Sequence, residues 1–301
     1  MKHVFIINPA AGQENSEQPL LDALKQKENL DYEVYYTTGP HDATEHVKKL
    51  AEENPDKQFC FYACGGDGTI NEVVNGVYGH SNSAMSVYPC GSGNDYVKYF
   101  GGADKFTNID NLINGEEIMV DVMEVQGIYS LNVINFGFDT VVAKTIGSVK
   151  RKPIIGGKNS YTTGVIRGVL FGRSNEAEIK VDGEILNPNG KYLLCTLANG
   201  SHVGGSFNCA PRSVVDDGLI EVCMAKKMLL VNFISLIGKY QNGLHLDDEK
   251  CKKLMEYRQA KKIEVTCSKE MDLCIDGEII TGKHFEIINN PQAVKFIAPK
   301  A

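Results

Sequence analysis

Five residues, Gly65-Gly66-Asp67-Gly68-Thr69, follow an apolar run, Phe59–Ala63, and precede a segment of helical spacing, Ile70–Tyr78. A strand that ends in a glycine-rich loop and continues as a helix is the opening of a parallel α/β unit, because parallel strands need a crossover and a helix supplies it. The glycines allow φ > 0 and close approach of the backbone to a ligand. Successive N–H groups and a helix N-terminus then offer partial positive charge to an anion, and the Thr69 hydroxyl adds a donor. In open α/β sheets such a loop lies at the carboxyl end of a strand, where ligands bind. On its own it is equally compatible with a plain tight turn.

Other strand ends strengthen the pattern. Val4–Ile7 is continuously apolar, as in a strand buried on both faces, and ends in Asn8-Pro9-Ala10-Ala11-Gly12. Glu17–Lys27 has helical spacing, Tyr32–Tyr36 reads as a strand that leads to Thr38, and Asp42–Asn54 reads as a helix with Asp42 as its N-cap. Met85–Tyr88 is a fourth strand and ends in Pro89-Cys90-Gly91-Ser92-Gly93-Asn94-Asp95. Three glycine-containing turns after parallel strands can converge on one crevice, with Thr38 beside them.

From about residue 120 the rhythm changes. Val120–Val125, Tyr129–Phe136, Ala177–Val181, Tyr192–Ala198, Leu219–Met224, Lys262–Thr266, Met271–Ile275 and Val294–Ile297 read mostly as strands, separated by Gly, Asn, Asp and Pro clusters. Helical patterns are fewer: Asp139–Lys150, Gly164–Phe171 and Leu229–Asn242. The expected fold is an α/β N-terminal domain with a parallel sheet, then a strand-rich β-sandwich C-terminal domain, with the boundary near Gly115–Asp121. A chain of 301 residues is long enough for two cores.

Bulk properties narrow the function. A net charge of −7 gains nothing from phosphate counterion release, so nucleic acid is not an expected partner. Nine cysteines, an odd number without a CxxC pair, speak against a disulfide framework or a structural zinc site and fit reduced thiols in a cytoplasm. The N-terminus enters a strand pattern at once, without the layout of a signal peptide. The apolar stretch Met228–Gly238 is interrupted by Asn232 and Ser235 and falls short of the roughly 20 residues a spanning helix needs. Two basic clusters, Lys144, Lys150, Arg151, Lys152 and Lys158, then Lys252, Lys253, Arg258, Lys261 and Lys262, read as solvated faces or as a means of docking peripherally on an anionic membrane.

Taken together, the motifs resemble the diacylglycerol kinase catalytic family in its bacterial soluble branch, which also includes sphingosine and ceramide kinases. The resemblance covers nearly the whole chain. The family's NPxxG motif is matched by Asn8, Pro9 and Gly12, and its GGDGTxNEVxNG block by Gly65–Gly76 throughout. Its PxGTxND block is matched by Pro89, Gly91, Asn94 and Asp95, with Ser92 keeping the hydroxyl of the usual threonine. Further matches are Leu131-Asn132 with Gly137-Phe138-Asp139; Asn199-Gly200 with Gly204-Gly205-Ser206, one glycine lost; Ala210, Pro211, Asp217 and Gly218, with Ser213 for alanine; and Asp276-Gly277-Glu278. GGDGT alone is not specific, since NAD kinases and phosphofructokinases use similar loops.

What the resemblance implies is ATP, with Mg²⁺, in a cleft between an α/β domain and a β-sandwich domain, and a C-terminal segment, Asn289–Ala301, that returns to the first domain. The domains would be 1–120 with 289–301, and 121–288. The implied nucleotide-binding residues are Asn8, Thr38, Gly65, Gly66, Asp67, Gly68, Thr69, Asn71, Ser92, Asn94 and Asp95. Phosphoryl transfer also needs a group that accepts the proton of the attacking hydroxyl. Glu278 matches the family's proposed base, and Asp67 is the second candidate; Asp67 could instead order Mg²⁺ through water. By itself Asp276-Gly277-Glu278 reads as a hairpin turn, like Asp182-Gly183-Glu184. Val214–Leu219 resembles a structural Mg²⁺ site of bacterial relatives, with Asp217 and the carbonyls of Val214 and Leu219 as ligands and Asp216 as the alternative aspartate. Such a site could link the two domains through water to Asp67.

The expected activity is transfer of the ATP γ-phosphate to a lipid hydroxyl, with diacylglycerol as the leading acceptor. The alternatives are an NAD kinase-like phosphotransferase and a catalytically silent lipid-binding regulator of the same fold. A homodimer is compatible with the chain, though no motif asks for one. His202, near Gly200 and Gly204-Gly205, reads as a loop residue or as a lining of the lipid groove. Cys64 and Cys90 read as buried packing residues. Met228–Ile237 reads as a core-packed amphipathic helix rather than a membrane-contacting one.

Overall fold

The computed structural model describes residues 1–12, 16–91, 93–138, 140, 144 and 175–300. The first half alternates strand and helix: β1 (Lys2–Ile7), α1 (Gln18–Lys25), β2 (Tyr32–Tyr36), α2 (Asp42–Glu53), β3 (Phe59–Gly65), α3 (Asp67–Val77), β4 (Ser83–Pro89) and the short α4 (Ile109–Ile113). Then come β5 (Glu116–Val125), β6 (Ile128–Ser130), β7 (Val133–Gly137), β8 (Asn175–Glu176), β9 (Glu178–Val181), β10 (Glu184–Ile185), β11 (Lys191–Ala198), β12 (His202–Val203), β13 (Phe207–Asn208) and β14 (Ile220–Lys226). Two helices, α5 (Leu230–Gln241) and α6 (Glu249–Leu254), precede β15 (Met255–Ala260), β16 (Lys262–Ile275) and β17 (Glu278–Ala298).

The four strands β2-β1-β3-β4 are parallel and adjacent in that order. All seven residues of β3 are buried, which explains its unbroken apolar sequence: helices cover both faces of such a sheet. The strand-rich second half is antiparallel, with β15-β14-β11-β7-β16-β17 in order. One core gathers Phe5, Phe61, Tyr96, Phe106 and Phe296 around the parallel strands. A second gathers Phe136, Tyr192, Ile263 and Phe285.

The last strand stitches the halves. Along its 21 residues β17 pairs with β16, then with β5, and finally runs parallel to β4 at Lys295 and Phe296. Its register against β5 shifts between Asn290 and Val294, at Pro291 and a positive-φ Gln292. A proline, which cannot donate to the ladder, is tolerated at such a bulge.

Several local expectations need correction. Asp42 does not cap α2. His41 stands at the N-cap with φ 67°, and Asp42 instead accepts from the backbone N–H and hydroxyl of Thr38 and from the Tyr35 hydroxyl. Helix α3 starts at Asp67 rather than Ile70, so the loop's aspartate is already helical. Met255–Ala260 is an edge strand paired with β14; its alternation was hidden by a mostly charged and polar face, as edge strands commonly are. The expected helices Asp139–Lys150, apart from Thr140 and Lys144, and Gly164–Phe171 lie outside the described residues. So do Lys150, Arg151, Lys152, Lys158 and Ser92. Among the described residues no helix is long and apolar enough to cross a membrane.

Candidate active site

The three glycine-containing turns meet. A side-chain carbon on Gly12 would fall 1.9 Å from the Cys90 carbonyl oxygen, and one on Gly91 would fall 2.4 Å from the Gly66 Cα. No residue with a Cβ fits at either place without moving backbone. The N–H groups of Cys90 and Gly91 donate to the Gly65 carbonyl at 2.9 and 3.1 Å. The Asn8 amide donates to Thr69 Oγ1 at 3.1 Å, and the Asn8 backbone N–H donates to the Cys64 carbonyl. The turns after β1, β3 and β4 are thus one hydrogen-bonded unit, built because their parent strands are neighbours in register.

Within this unit Gly66 and Gly68 carry the open face; Thr69 is buried, its hydroxyl facing Asn8 and packed against Gly65. The first amides of α3 have no partner inside the helix, a property of any helix start. Asn94 has φ 48° and donates to the Gly91 carbonyl at 2.8 Å, while its buried Oδ1 has no partner among the described residues. Thr38 is held by Asp42 at the end of β2. Cys64 and Cys90 are packing residues: burial raises both thiols, Cys90 to about 11.

Acidic side chains line the edge of the loop. Asp67 accepts from the Asp95 backbone N–H at 2.6 Å, and its other oxygen would lie 2.7 Å from any Cβ on Gly93. Burial first, and then the neighbouring Asp95 charge, push the Asp67 carboxyl up to about 6. The Asp95 carboxylate takes Lys98 Nζ at 2.5 Å and the Gly205 N–H at 3.0 Å, while Lys98 Nζ also donates to the carbonyls of Gly93 and Gly205. The Asn199–Ser206 segment is thereby clipped to the loop after β4. His202 lies beside this pair, and burial first and then the Lys98 charge lower the affinity of its imidazole for a proton.

Glu278, the first residue of β17, reaches the same place from the other half of the molecule. A side-chain carbon on Gly68 would lie 3.9 Å from Glu278 Oε1. Asn71, by contrast, turns away from the open face: its amide donates to the Tyr129 carbonyl at 2.9 Å and to Asp276 Oδ2 at 3.3 Å.

Sequence reasoning passed over four residues here. Glu72 accepts from the Ala43 N–H and so caps α2 in place of Asp42. Lys98 grips Gly205 as described. Asp276, inside a turn motif already noted, is half-buried and accepts from the N–H groups of Val133 and Leu131. Asp121, fully buried, accepts from Gly218 N–H, Asn289 Nδ2 and Gln292 N–H at 2.7, 3.0 and 2.7 Å. A charged residue in the middle of an apolar strand, as Asp121 is in Val120–Val125, was the available signal.

In the Val214–Leu219 loop, Asp217 is exposed and accepts from the Leu219 N–H at 3.0 Å. Its carboxyl is pushed up, by partial burial first and also by the charges of Asp121 and Asp216. Among the described residues no group of three or more His, Cys, Asp or Glu side chains is set to hold a metal ion.

Comparison with known proteins accounts for this geometry. The diacylglycerol kinase catalytic domain matches residues 2–125, and the YegS C-terminal NAD kinase beta sandwich-like domain matches residues 132–298. A diacylglycerol kinase of Bacillus subtilis (strain 168) is 32% identical over 306 residues, covering 100% of this chain and 97% of the relative. The chain belongs to the diacylglycerol kinase family. A diacylglycerol kinase of Staphylococcus carnosus (strain TM300) is 28% identical, covering 98% of this chain and 94% of its own. The fold matches that of a crystallised diacylglycerol kinase from Bacillus anthracis, with TM-score 0.70, 21% identity, and 99% and 96% of the two chains covered. A further crystal structure from Bacillus anthracis gives TM-score 0.78 at 23% identity, again over 99% and 96%. The protein is a lipid kinase, with a mixed sheet that is parallel in its α/β half and antiparallel in its strand-rich half.

Proposed function

We propose that this kinase transfers the γ-phosphate of ATP to the free hydroxyl of diacylglycerol, giving phosphatidic acid. The approach of the Glu278 carboxylate to Gly68 carries this reading, because it sets a proton acceptor beside a glycine loop suited to phosphate. In the proposed roles, Gly65, Gly66 and Gly68, with the first amides of α3, cradle phosphate oxygens. Asn94, whose Oδ1 has no partner among the described residues, and Thr38 flank the nucleotide. Glu278 takes the hydroxyl proton as the lipid oxygen attacks. Asp67, with its raised affinity for a proton, orders the charge near the phosphates or serves as the second acceptor.

Mg²⁺ fits the hard-oxygen character of the site, since Asp217 and the carbonyls of Val214 and Leu219 could hold it. The crowding of Asp217, Asp121 and Asp216 charges, which a cation would relieve, supports that reading. When bound, such an ion offsets negative charge near the transferring group. We take 1–120 with 289–301 as the nucleotide domain and 121–288 as the lipid domain. Contact with a membrane surface belongs to the same proposal, because the acceptor resides there. The second basic cluster gives it partial support: Lys252 and Lys262 are engaged by Glu249, Glu264 and Glu286, while Arg258 is exposed on β15.

A radiolabelled-ATP transfer screen against lipid alcohols in mixed micelles tests the assignment. Label is expected in phosphatidic acid, with diacylglycerol preferred over phosphatidylglycerol and sphingoid bases. Preferred labelling of another alcohol would overturn the acceptor. Glu278→Gln is expected to lower kcat by roughly 10²–10⁴-fold; an unchanged kcat would remove Glu278 from the base role.

A further inference from the structure

We propose that Asp276 is a positioning residue for phosphoryl transfer: it fixes the turn that carries Glu278 against the helix that carries the phosphate loop. The proposal rests on Glu278 as the proton acceptor. Ile275 and Glu278 close a two-residue hairpin whose central residues, Asp276 and Gly277, have φ 47° and 102°. Such a turn is satisfied by Asn-Gly or Gly-Gly as readily as by Asp-Gly, so the turn itself does not demand a carboxylate.

A built-in comparison exists. Asp182-Gly183 makes the same kind of turn, with φ 48° and 87°, between β9 and β10. Asp182 is exposed and its carboxylate meets the backbone N–H groups of Lys261 and Lys262 at the surface. Asp276 instead sends its carboxylate inward. Oδ1 accepts from Val133 N–H at 2.8 Å, and Oδ2 accepts from Leu131 N–H at 3.2 Å and Asn71 Nδ2 at 3.3 Å. Burying a carboxylate is costly even when it is hydrogen-bonded, and here the burial raises its affinity for a proton while its partners lower it.

The path that this cost maintains begins and ends on one helix. Asn71 lies in α3; it bonds Asp276; Asp276 holds the turn; two residues on, Glu278 reaches Gly68 in the first turn of α3. The Asp276 bonds to Leu131 and Val133 keep the turn from sliding along β7, and Asn75 ties the same helix to the Tyr129 backbone in both directions. Glu278 therefore keeps its place relative to the phosphate loop although the two arrive from distant parts of the chain. A displacement of about 1 Å at such a site can lower a rate a hundredfold.

The test measures Asp276→Asn, alone and combined with Glu278→Gln, in the full-length enzyme. Asn keeps the size and the turn but turns an N–H toward one of the N–H groups that Asp276 now satisfies. Asp276→Asn is expected to lower kcat by about 10–100-fold, with KM for ATP within about threefold and little further loss in the Glu278→Gln background. Asp182→Asn, the surface control, should leave kcat unchanged. A kcat within twofold of wild type, or the same fold-loss with and without Glu278, overturns the proposal. If Glu278→Gln itself has no effect, it is the base assignment that fails. Should Asp276→Asn melt below the assay temperature, Asn71→Ala applies the same non-additivity test from the α3 end, with the same two outcomes.

Discussion

Asp67 is a side chain whose surroundings work against the stability of the fold. Its carboxyl is drawn up to about 6 by burial and by Asp95. A raised acid pKa in the folded state means that the unfolded chain ionises first. The folded protein is therefore undisturbed at pH below about 4, loses stability as pH rises to about 6, and stays penalised above that. Asp67→Asn removes the charge but keeps an acceptor for the Asp95 N–H. The ligand-free variant is expected to be more stable than wild type by about 1–2 kcal/mol at pH 8, with the gain vanishing toward pH 4. Denaturant titrations at several pH values would measure it; a gain that persists at pH 4 would mean that the charge is not its origin.

At the scale of elements, helix α2 depends on a neighbour for its start. His41 at its N-cap makes no side-chain cap, and Glu72 of α3 supplies the acceptor for Ala43 N–H while its carbonyl takes the Thr44 hydroxyl. The glutamate in the NEVVNG stretch thus aligns two helices rather than touching the loop's open face. Glu72→Ala is expected to cost about 1 kcal/mol of stability, the usual value of a lost cap, read as a lower denaturant midpoint with unchanged slope.

Across the whole molecule, Asp121 is the polar tie between the halves. Its carboxylate holds the Gly218 turn, Asn289 and the bulge at Gln292, and its carbonyl accepts from Asn199. β17 can change partners from β16 to β5 and β4 because the bulged residues have Asp121 as an acceptor. Asp121→Ala would strand three donors in a dry interior and is expected to destabilise the protein by about 3–5 kcal/mol, with Asp121→Asn losing less than half of that. Equal stability of Asp121→Ala and wild type in chemical denaturation would refute the tie.

Much of this was legible in order along the chain. The apolar runs, the glycine turns behind them and the change of rhythm near residue 120 reflect short-range rules of periodicity and backbone freedom, and these fix elements and their types. Only the tertiary structure decided which polar groups face which. That Asn71 and Glu72 brace helices and that Asp121 joins the halves depend on partners tens or hundreds of residues away. The cost of leaving a buried donor or acceptor unpaired selects those partners, and it is settled by packing in three dimensions, which no local spacing encodes.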